Sequence, residues 1–461
     1  MEIDWAAVLG QVLSQDSSIK GTLARDEFPE LNEAVARQPP RAVRVAPGGE
    51  LSLPFETRGV AWFDRGRELV DSEVRPGGFL HHSAGCYYVQ DSASLLAIAL
   101  CQIQPGERVC DLCAAPGGKS TAILEELDGT GVLFCNEVIG SRMGPLTTAL
   151  ARTGYANYLT ANQDTERLAD AMAGDFDCVL VDAPCSGQSM VARGKQSEAS
   201  FSEHQIAHSA ARQARILRAA AQMVRAGGRL VYSTCTFAYA ENEGVVAEFL
   251  SQSPEWKLAD GPQCLSPYRS SVLDGCYRLW PHRHGCAGGF AATLTRGGSA
   301  EVRESGKRRG RSKWTAVKKV PDEMHVWLAE NATVLADARR IYNTSERLEY
   351  ISPDVPDHWI GLAYSAVPLA SRKQNRLEPA YALSLLGGGG FQTRHTVELD
   401  DQAAIRFVAG EPIRQAMDFD NGSWLCVAWR DRPLAWGKYA GGVLKNHLPK
   451  HLRQQVVACL G

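Results

Sequence analysis

One stretch limits the folds open to this chain more than any other: Arg108-Val-Cys-Asp-Leu-Cys-Ala-Ala-Pro-Gly-Gly-Lys-Ser-Thr121. Its first residues, Arg108 to Leu112, read as a short buried strand. Pro116-Gly117-Gly118 breaks that strand, and Lys119 to Leu127 resumes at helical spacing. Strand, glycine turn, helix is how a chain brings bare backbone N–H groups and a helix N-terminus against a ligand. Such a loop lies at the carboxyl end of a parallel strand, where open α/β sheets bind their ligands. Two nucleotide readings fail on the wording. A P-loop needs Gly-x-x-x-x-Gly-Lys-Ser/Thr; Gly118-Lys119-Ser120 supplies the tail, but Cys113 stands where the leading glycine belongs. The Gly-x-Gly-x-x-Gly fingerprint of dinucleotide sites is absent.

The flanking pattern repeats the theme. Gly131 to Glu137 is a strand ending in a carboxylate, and a helical stretch runs from Ile139 towards Arg152. Asn157 to Asp164 gives the next strand and its end. Phe176 to Asp182 is a continuous apolar strand, Ser202 to Arg225 a long helix, Arg229 to Cys235 another buried strand, and Glu241 to Leu250 a helix. Strands alternating with helices at this pitch predict a doubly wound, mainly parallel sheet, with Gly288 to Thr295 closing it as an edge strand. Upstream, Trp5–Leu13 and Phe28–Ala36 read as helices and Arg41–Val45 as a strand. Leu51–Phe55 and Gly59–Phe63 are short apolar runs, and Tyr87 to Cys101 is a strand running into a helix capped near Asp91 or Ser92.

Composition excludes several classes. The 461 residues are 44% hydrophobic and 22% charged, ordinary for a soluble protein large enough for two to four domains. The N-terminus lacks a basic start followed by an apolar core, and no apolar run approaches a membrane span, so a cytoplasmic protein is expected. The 13 cysteines follow no framework spacing and read as reduced thiols. Neither Cys110-Asp-Leu-Cys113 nor His282-Arg-His284 with Cys286 has a matching ligand pair, so no metal is expected. Net charge is −3, but residues 301–319 hold eight basic residues, Arg303, Lys307, Arg308, Arg309, Arg311, Lys313, Lys318 and Lys319, against Glu301 and Glu304. That run suits phosphate contacts or a solvated linker equally.

Two further motifs carry chemistry: Asp182-Ala-Pro-Cys-Ser-Gly187 and Tyr232-Ser-Thr-Cys-Thr236. Each places a cysteine just past a strand tip on the glycine-loop side. Together with Asp111-Leu-Cys-Ala-Ala-Pro-Gly-Gly-Lys-Ser-Thr121, this wording resembles the RNA 5-methylcytosine methyltransferases, which use S-adenosyl-L-methionine (SAM). Carbon 5 of cytosine is too weak a nucleophile to attack a sulfonium methyl. A thiolate added to carbon 6 makes carbon 5 an enamine carbon, and a base then removes the carbon 5 proton so that the thiolate leaves. Spacing alone does not divide these roles. DNA cytosine methyltransferases use a Pro-Cys nucleophile, which would be Cys185; the RNA family uses the Thr-Cys cysteine, here Cys235, and assigns the Pro-Cys residue to product release. The resemblance therefore implies Cys235 as nucleophile, Cys185 as release catalyst and Asp182 beside the methionine moiety and target base. It implies a cofactor loop of Cys113, Ala114, Ala115, Pro116, Gly117, Gly118 and Lys119, with Glu137 on the ribose and Asp164 by the adenine amine.

The resemblance extends to both ends. Arg41–Val45 is similar to the arginine-flanked strand of the family's N-terminal RNA-binding module, although Ala46-Pro-Gly-Gly49 replaces the usual Asn-Thr pair. Gln188 to Lys195 departs from the family's turn, whereas Arg212-Gln213 and Arg278 to Arg283 follow its pattern, the latter as a pocket wall. The tail, with Trp424–Trp429, Pro433–Lys450 and exposed Lys438, Lys445 and Lys450, resembles the PUA-like RNA-binding domain of the RsmF branch.

The expected architecture is α/β: a small α+β RNA-binding module (1–75), a class I, Rossmann-like SAM-dependent methyltransferase domain (76–300), a basic linker (301–320), an intermediate domain (321–390) and a PUA-like domain (391–461). It predicts a monomer forming 5-methylcytosine in small-subunit (16S) ribosomal RNA, on RNA or the small ribosomal subunit, with no membrane partner. The target base must be flipped or single-stranded to be attacked. Transfer RNA as substrate, and a non-catalytic assembly factor, stand as alternatives; a pure binder has no need of both cysteines.

Overall fold

The computed structural model describes residues 23–48, 53–298 and most of 340–456, with the short strands Thr315–Ala316 and Ala332–Val334 between. The helix expected over Trp5–Leu13, the basic side chains of 301–319, the helix expected over Asp322–Glu330 and the Gly387–Gly390 run lie outside the described residues.

The N-terminal module holds a helix, Phe28–Ala36, and a four-stranded sheet of β1 (Ala42–Val45), β2 (Thr57–Val60), β3 (Phe63–Leu69) and β4 (Tyr87–Val89), in the order β2-β3-β1-β4. β4 pairs with β1, so this module continues past residue 75 and Tyr87–Val89 completes its sheet. The run Gly59–Phe63 spans the end of β2, the turn at Ala61-Trp62 and the start of β3 in one hairpin.

The central sheet is built from β5 (Arg108–Asp111), β6 (Val132–Asn136), β7 (Tyr158–Ala161), β8 (Phe176–Asp182), β9 (Val224–Thr234), β10 (Trp256–Ala259), β11 (Cys276–Leu279) and β12 (Gly289–Arg296). β7, β6, β5, β8 and β9 are mutually parallel. Strands buried on both faces are mostly apolar, and β6 to β8 are, with polar residues such as Asn136, Asp177 and Asp182 at or near their ends. β12 runs antiparallel to β9 and carries both β10 and β11 on its far side, so it is an interior strand and not the expected edge.

The intermediate region forms a five-stranded antiparallel sheet, Thr315–Ala316, Ile341–Asn343, Arg347–Tyr350, Val367–Lys373 and Arg376–Pro379. Thr315–Ala316, expected in the linker, is therefore part of that sheet. A boundary at 391 would likewise separate Phe391–Thr393 from its partner Ala332–Val334. This region seals the open edge of β7: the Tyr364 N–H donates to the Thr160 carbonyl (2.6 Å) and the Thr160 N–H to the Ser365 carbonyl (2.8 Å). Trp359, fully buried, packs on Phe176 and Phe134 with ring centroids 4.8 and 5.5 Å away.

The C-terminal sheet runs Thr396–Glu398, Trp424–Trp429, Arg432–Ala440, Val443–Asn446, Ile413–Arg414. It shares a hydrophobic core with the N-terminal module, Leu425, Val427 and Trp429 packing with Val43, Leu69 and Tyr87.

Arg44 on β1, in the strand that resembles the arginine-flanked strand of the RNA-binding module, points inward. It is fully buried, forms a bidentate pair with Glu125 (2.8 and 2.9 Å) and donates to the Gly118 carbonyl (2.8 Å) and the Thr121 hydroxyl (2.9 Å). Arg41 is likewise engaged internally, on the carbonyls of Ser72 and Val74. The strand thus clamps the helix that follows the glycine loop.

Candidate active site

The glycine loop leaves β5 at Asp111 and enters the helix Gly118–Leu127. Gly117 precedes that helix at φ +113°, and a Cβ there would lie 2.8 Å from the Ala149 Cβ, so only glycine fits. A Cβ on Gly118 would come within 3.4 Å of the Tyr88 ring. Between loop and β4 lies a cavity of about 220 Å³. Of the residues expected to hold the cofactor, Cys113, Ala114, Ala115, Pro116, Gly118, Lys119 and Asp182 line it; Gly117, Glu137 and Asp164 are not on its wall.

The two remaining carboxylates differ. Glu137 is buried, paired with Arg142 (3.0 Å) and accepting the Ile139 N–H (2.9 Å). Asp164 is exposed and caps the helix Thr165–Ala171, its Oδ1 accepting from the N–H groups of Glu166 and Arg167 (3.0 and 3.2 Å). In this geometry it serves its own helix.

Asp111 was missed. It lines the cavity, is buried, accepts the Ser120 hydroxyl at 2.7 Å through Oδ2, and its Oδ1 has no well-formed partner among the described residues. Burial pushes its carboxyl up to about 7. The signal was present: an acid as the last residue of an otherwise apolar strand, one step before the loop. A buried carboxylate with a spare lone pair, a glycine cradle and an acid–ammonium pair fit a nucleoside bearing a positive charge.

Lys119 and Asp182 form that pair, Nζ to Oδ2, at 2.7 Å, while Asp182 Oδ1 accepts the Ser233 hydroxyl at 2.7 Å. Asp182 ends β8, beside Ser233 on β9. The loops beyond these strands bring Cys185 and Cys235 together, sulfur to sulfur, at 3.3 Å. Both are half-buried. The hydrogen bond with Cys185 lowers the Cys235 thiol, aided by Lys119 and opposed by burial and by Asp182; the same bond, with burial, raises Cys185 well above the ordinary thiol range. The bias within the pair therefore favours the thiolate on Cys235 over Cys185.

The supporting shell is tightly bonded. Gln213 Nε2 donates to the Pro184 carbonyl (3.1 Å) and to Glu241 (2.9 Å), so this residue anchors the Cys185 loop as well as its own helix. Arg278, expected to line the pocket, is instead buried in a bidentate pair with Glu243, and Trp280 stacks on Phe237 beneath the loop Gln188–Arg193.

Comparison with known proteins gives a consistent result. The family described as 16S rRNA methyltransferase RsmB/F matches residues 97–295, and the methyltransferase RsmF PUA domain matches residues 394–454, together more than half of the chain. A ribosomal RNA small subunit methyltransferase F from Erwinia tasmaniensis is 27% identical over 395 residues, covering 83% of this chain and 81% of its own. One from Vibrio parahaemolyticus is 27% identical over 413 residues, covering 85% of each. Among solved structures, a methyltransferase homologue from Pyrococcus horikoshii superposes with a TM-score of 0.53 at 24% identity, covering 63% of this chain and 99% of the other, which shows the shared fold.

Proposed function

Starting from a chain that belongs to the 16S rRNA methyltransferase RsmB/F family, we propose that it forms 5-methylcytosine in small-subunit ribosomal RNA, with Cys235 as nucleophile and Cys185 as release catalyst. It is a SAM-dependent RNA methyltransferase with a C-terminal PUA domain. The observation that carries the finer reading is the 3.3 Å contact between two thiols of opposite bias, next to the glycine-loop cavity.

When bound, SAM supplies an electrophilic methyl group. Asp111, the glycine loop, Lys119 and Asp182 would hold it, with Glu137 as the further hydroxyl acceptor and Asp164 a more distant candidate. The chain's own residues account for the rest. The Cys235 thiolate bonds to carbon 6 of the cytosine, and the ring's electron pair moves to carbon 5, which can then accept a methyl group. Bond formation removes the negative charge from Cys235, and with it the strongest influence keeping Cys185 protonated. Cys185 can then lose its own proton to solvent and take the carbon 5 proton as the carbon 6–sulfur bond breaks. Asp182, held by Ser233 and Lys119, has a fixed acceptor for the exocyclic amine of the base.

Transfer of labelled methyl from SAM to naked ribosomal RNA, small subunits and transfer RNA in parallel tests the substrate. Label is expected in small-subunit ribosomal RNA; label confined to transfer RNA would overturn the assignment. Both chemical steps predict that Cys235→Ala abolishes transfer.

A further inference from the structure

The loops that carry the two cysteines are joined by a group with no role so far. Glu241 is fully buried between the end of β9 and the helix Glu243–Gln252. Its Oε2 accepts the backbone N–H of Ser186, the residue after Cys185, at 2.8 Å, and the Gln213 amide at 2.9 Å. Its Oε1 accepts the Ser186 hydroxyl and, at 3.3 Å, the hydroxyl of Thr236, the residue after Cys235. The Ser186 and Thr236 hydroxyls also touch each other at 2.8 Å. One carboxylate therefore holds both loops by the residues adjoining the two sulfur atoms.

We propose that Glu241 is a positioning residue for methyl transfer, fixing the two cysteine loops in register and setting a negative charge on the Cys185 side of the thiol pair. The proposal rests on the cysteine roles given above. On the Cys235 side the facing charges are the Lys119–Asp182 pair, whose ammonium and carboxylate act on that thiol in opposite directions, so among the described residues Glu241 is the unpaired charge acting on Cys185. The charge of Glu241 acts to raise Cys185, as that of Lys119 acts to lower Cys235. Four bonds donated to one buried carboxylate exceed what a helix cap requires, and burying a charge is unfavourable unless such bonds compensate it.

The bonding pattern makes charge and shape separable. Both donors on Oε2 are N–H groups and cannot reverse, whereas both on Oε1 are hydroxyls, which can rotate to accept. Glu241→Gln can place its amide oxygen at the first position and its NH₂ at the second, so it keeps the fold and loses the charge. Glu241→Ala takes the acceptor from the Ser186 N–H and from one Gln213 N–H, leaves the Ser186 and Thr236 hydroxyls only each other, and frees the loops.

The test combines kinetics with thiol titration. Glu241→Ala is expected to lower kcat by about 10²-fold, as a misplaced reacting group does, with KM for RNA unchanged. Glu241→Gln is expected to retain the wild-type melting temperature yet lower kcat. In a Cys235→Ala background, where Cys185 stands alone, Glu241→Gln is expected to move the pH midpoint of Cys185 alkylation down by about one unit. An unmoved midpoint, or wild-type kcat in both Glu241 variants, would overturn the proposal. Activity retained in Cys235→Ala alone would instead sink the underlying reaction, so the two failures are distinct.

Discussion

Asp111 shows how one side chain sets the response to pH. An unfolded aspartate titrates near 4, whereas in the fold burial holds this one at about 7. Between those values the native state keeps a proton that the unfolded state has lost, so stability falls as pH rises through the window and is level on either side of it. The shift corresponds to an effect on the order of a few kcal/mol. Urea unfolding of the ligand-free protein at pH 5 and pH 8 should show a drop that is smaller in Asp111→Asn; an equal drop in both would contradict the assignment. Residue identity was legible in the sequence where a motif named it, as for Cys185, Cys235 and the glycine loop. Asp111 and Glu241 were not. The first precedes the loop by one residue, and the second reads as an ordinary acid at the start of a helix, where the macrodipole favours one in any case.

At the scale of elements, the parallel strands were legible because strands buried on both faces read as short, nearly continuous apolar runs between turn and helix signals. Pairing between modules was not. β4 follows its partner β1 by some forty residues, and nothing local distinguishes it from a strand of the next domain. The same holds for Arg44, whose partners Thr121 and Glu125 lie far along the chain and leave no local trace beside it. Arg44→Met should reveal that clamp. Removing one partner of a buried pair costs about 3–5 kcal/mol, and the lower end is expected here because Arg65 remains on Glu125. The melting temperature should fall accordingly, and a change of under about 1 kcal/mol would show that β1 does not brace the glycine-loop helix.

Across the whole molecule, the intermediate region covers the β7 edge of the central sheet, and the C-terminal sheet packs on the N-terminal module. The intermediate sheet was the least legible part, being made of short strands from dispersed segments. The C-terminal sheet keeps Lys438 directly opposite Lys445, with the Lys438 ammonium 5.3 Å from the centre of the Trp424 ring. Like charges in register destabilise a sheet, which points to a polyanion on that face. Lys438→Ala with Lys445→Ala should weaken ribosomal RNA binding and flatten its dependence on salt by one to two phosphate contacts, about 0.7–0.9 each in log–log slope; an unchanged slope would remove this face from the interface.

The division of labour between the two sulfur atoms is tested most directly by trapping. Cys185→Ala incubated with SAM and small-subunit RNA, then run on a denaturing gel, should give a protein–RNA band that is resistant to denaturant and absent from Cys235→Ala. A band in Cys235→Ala, or none in Cys185→Ala, would contradict the account.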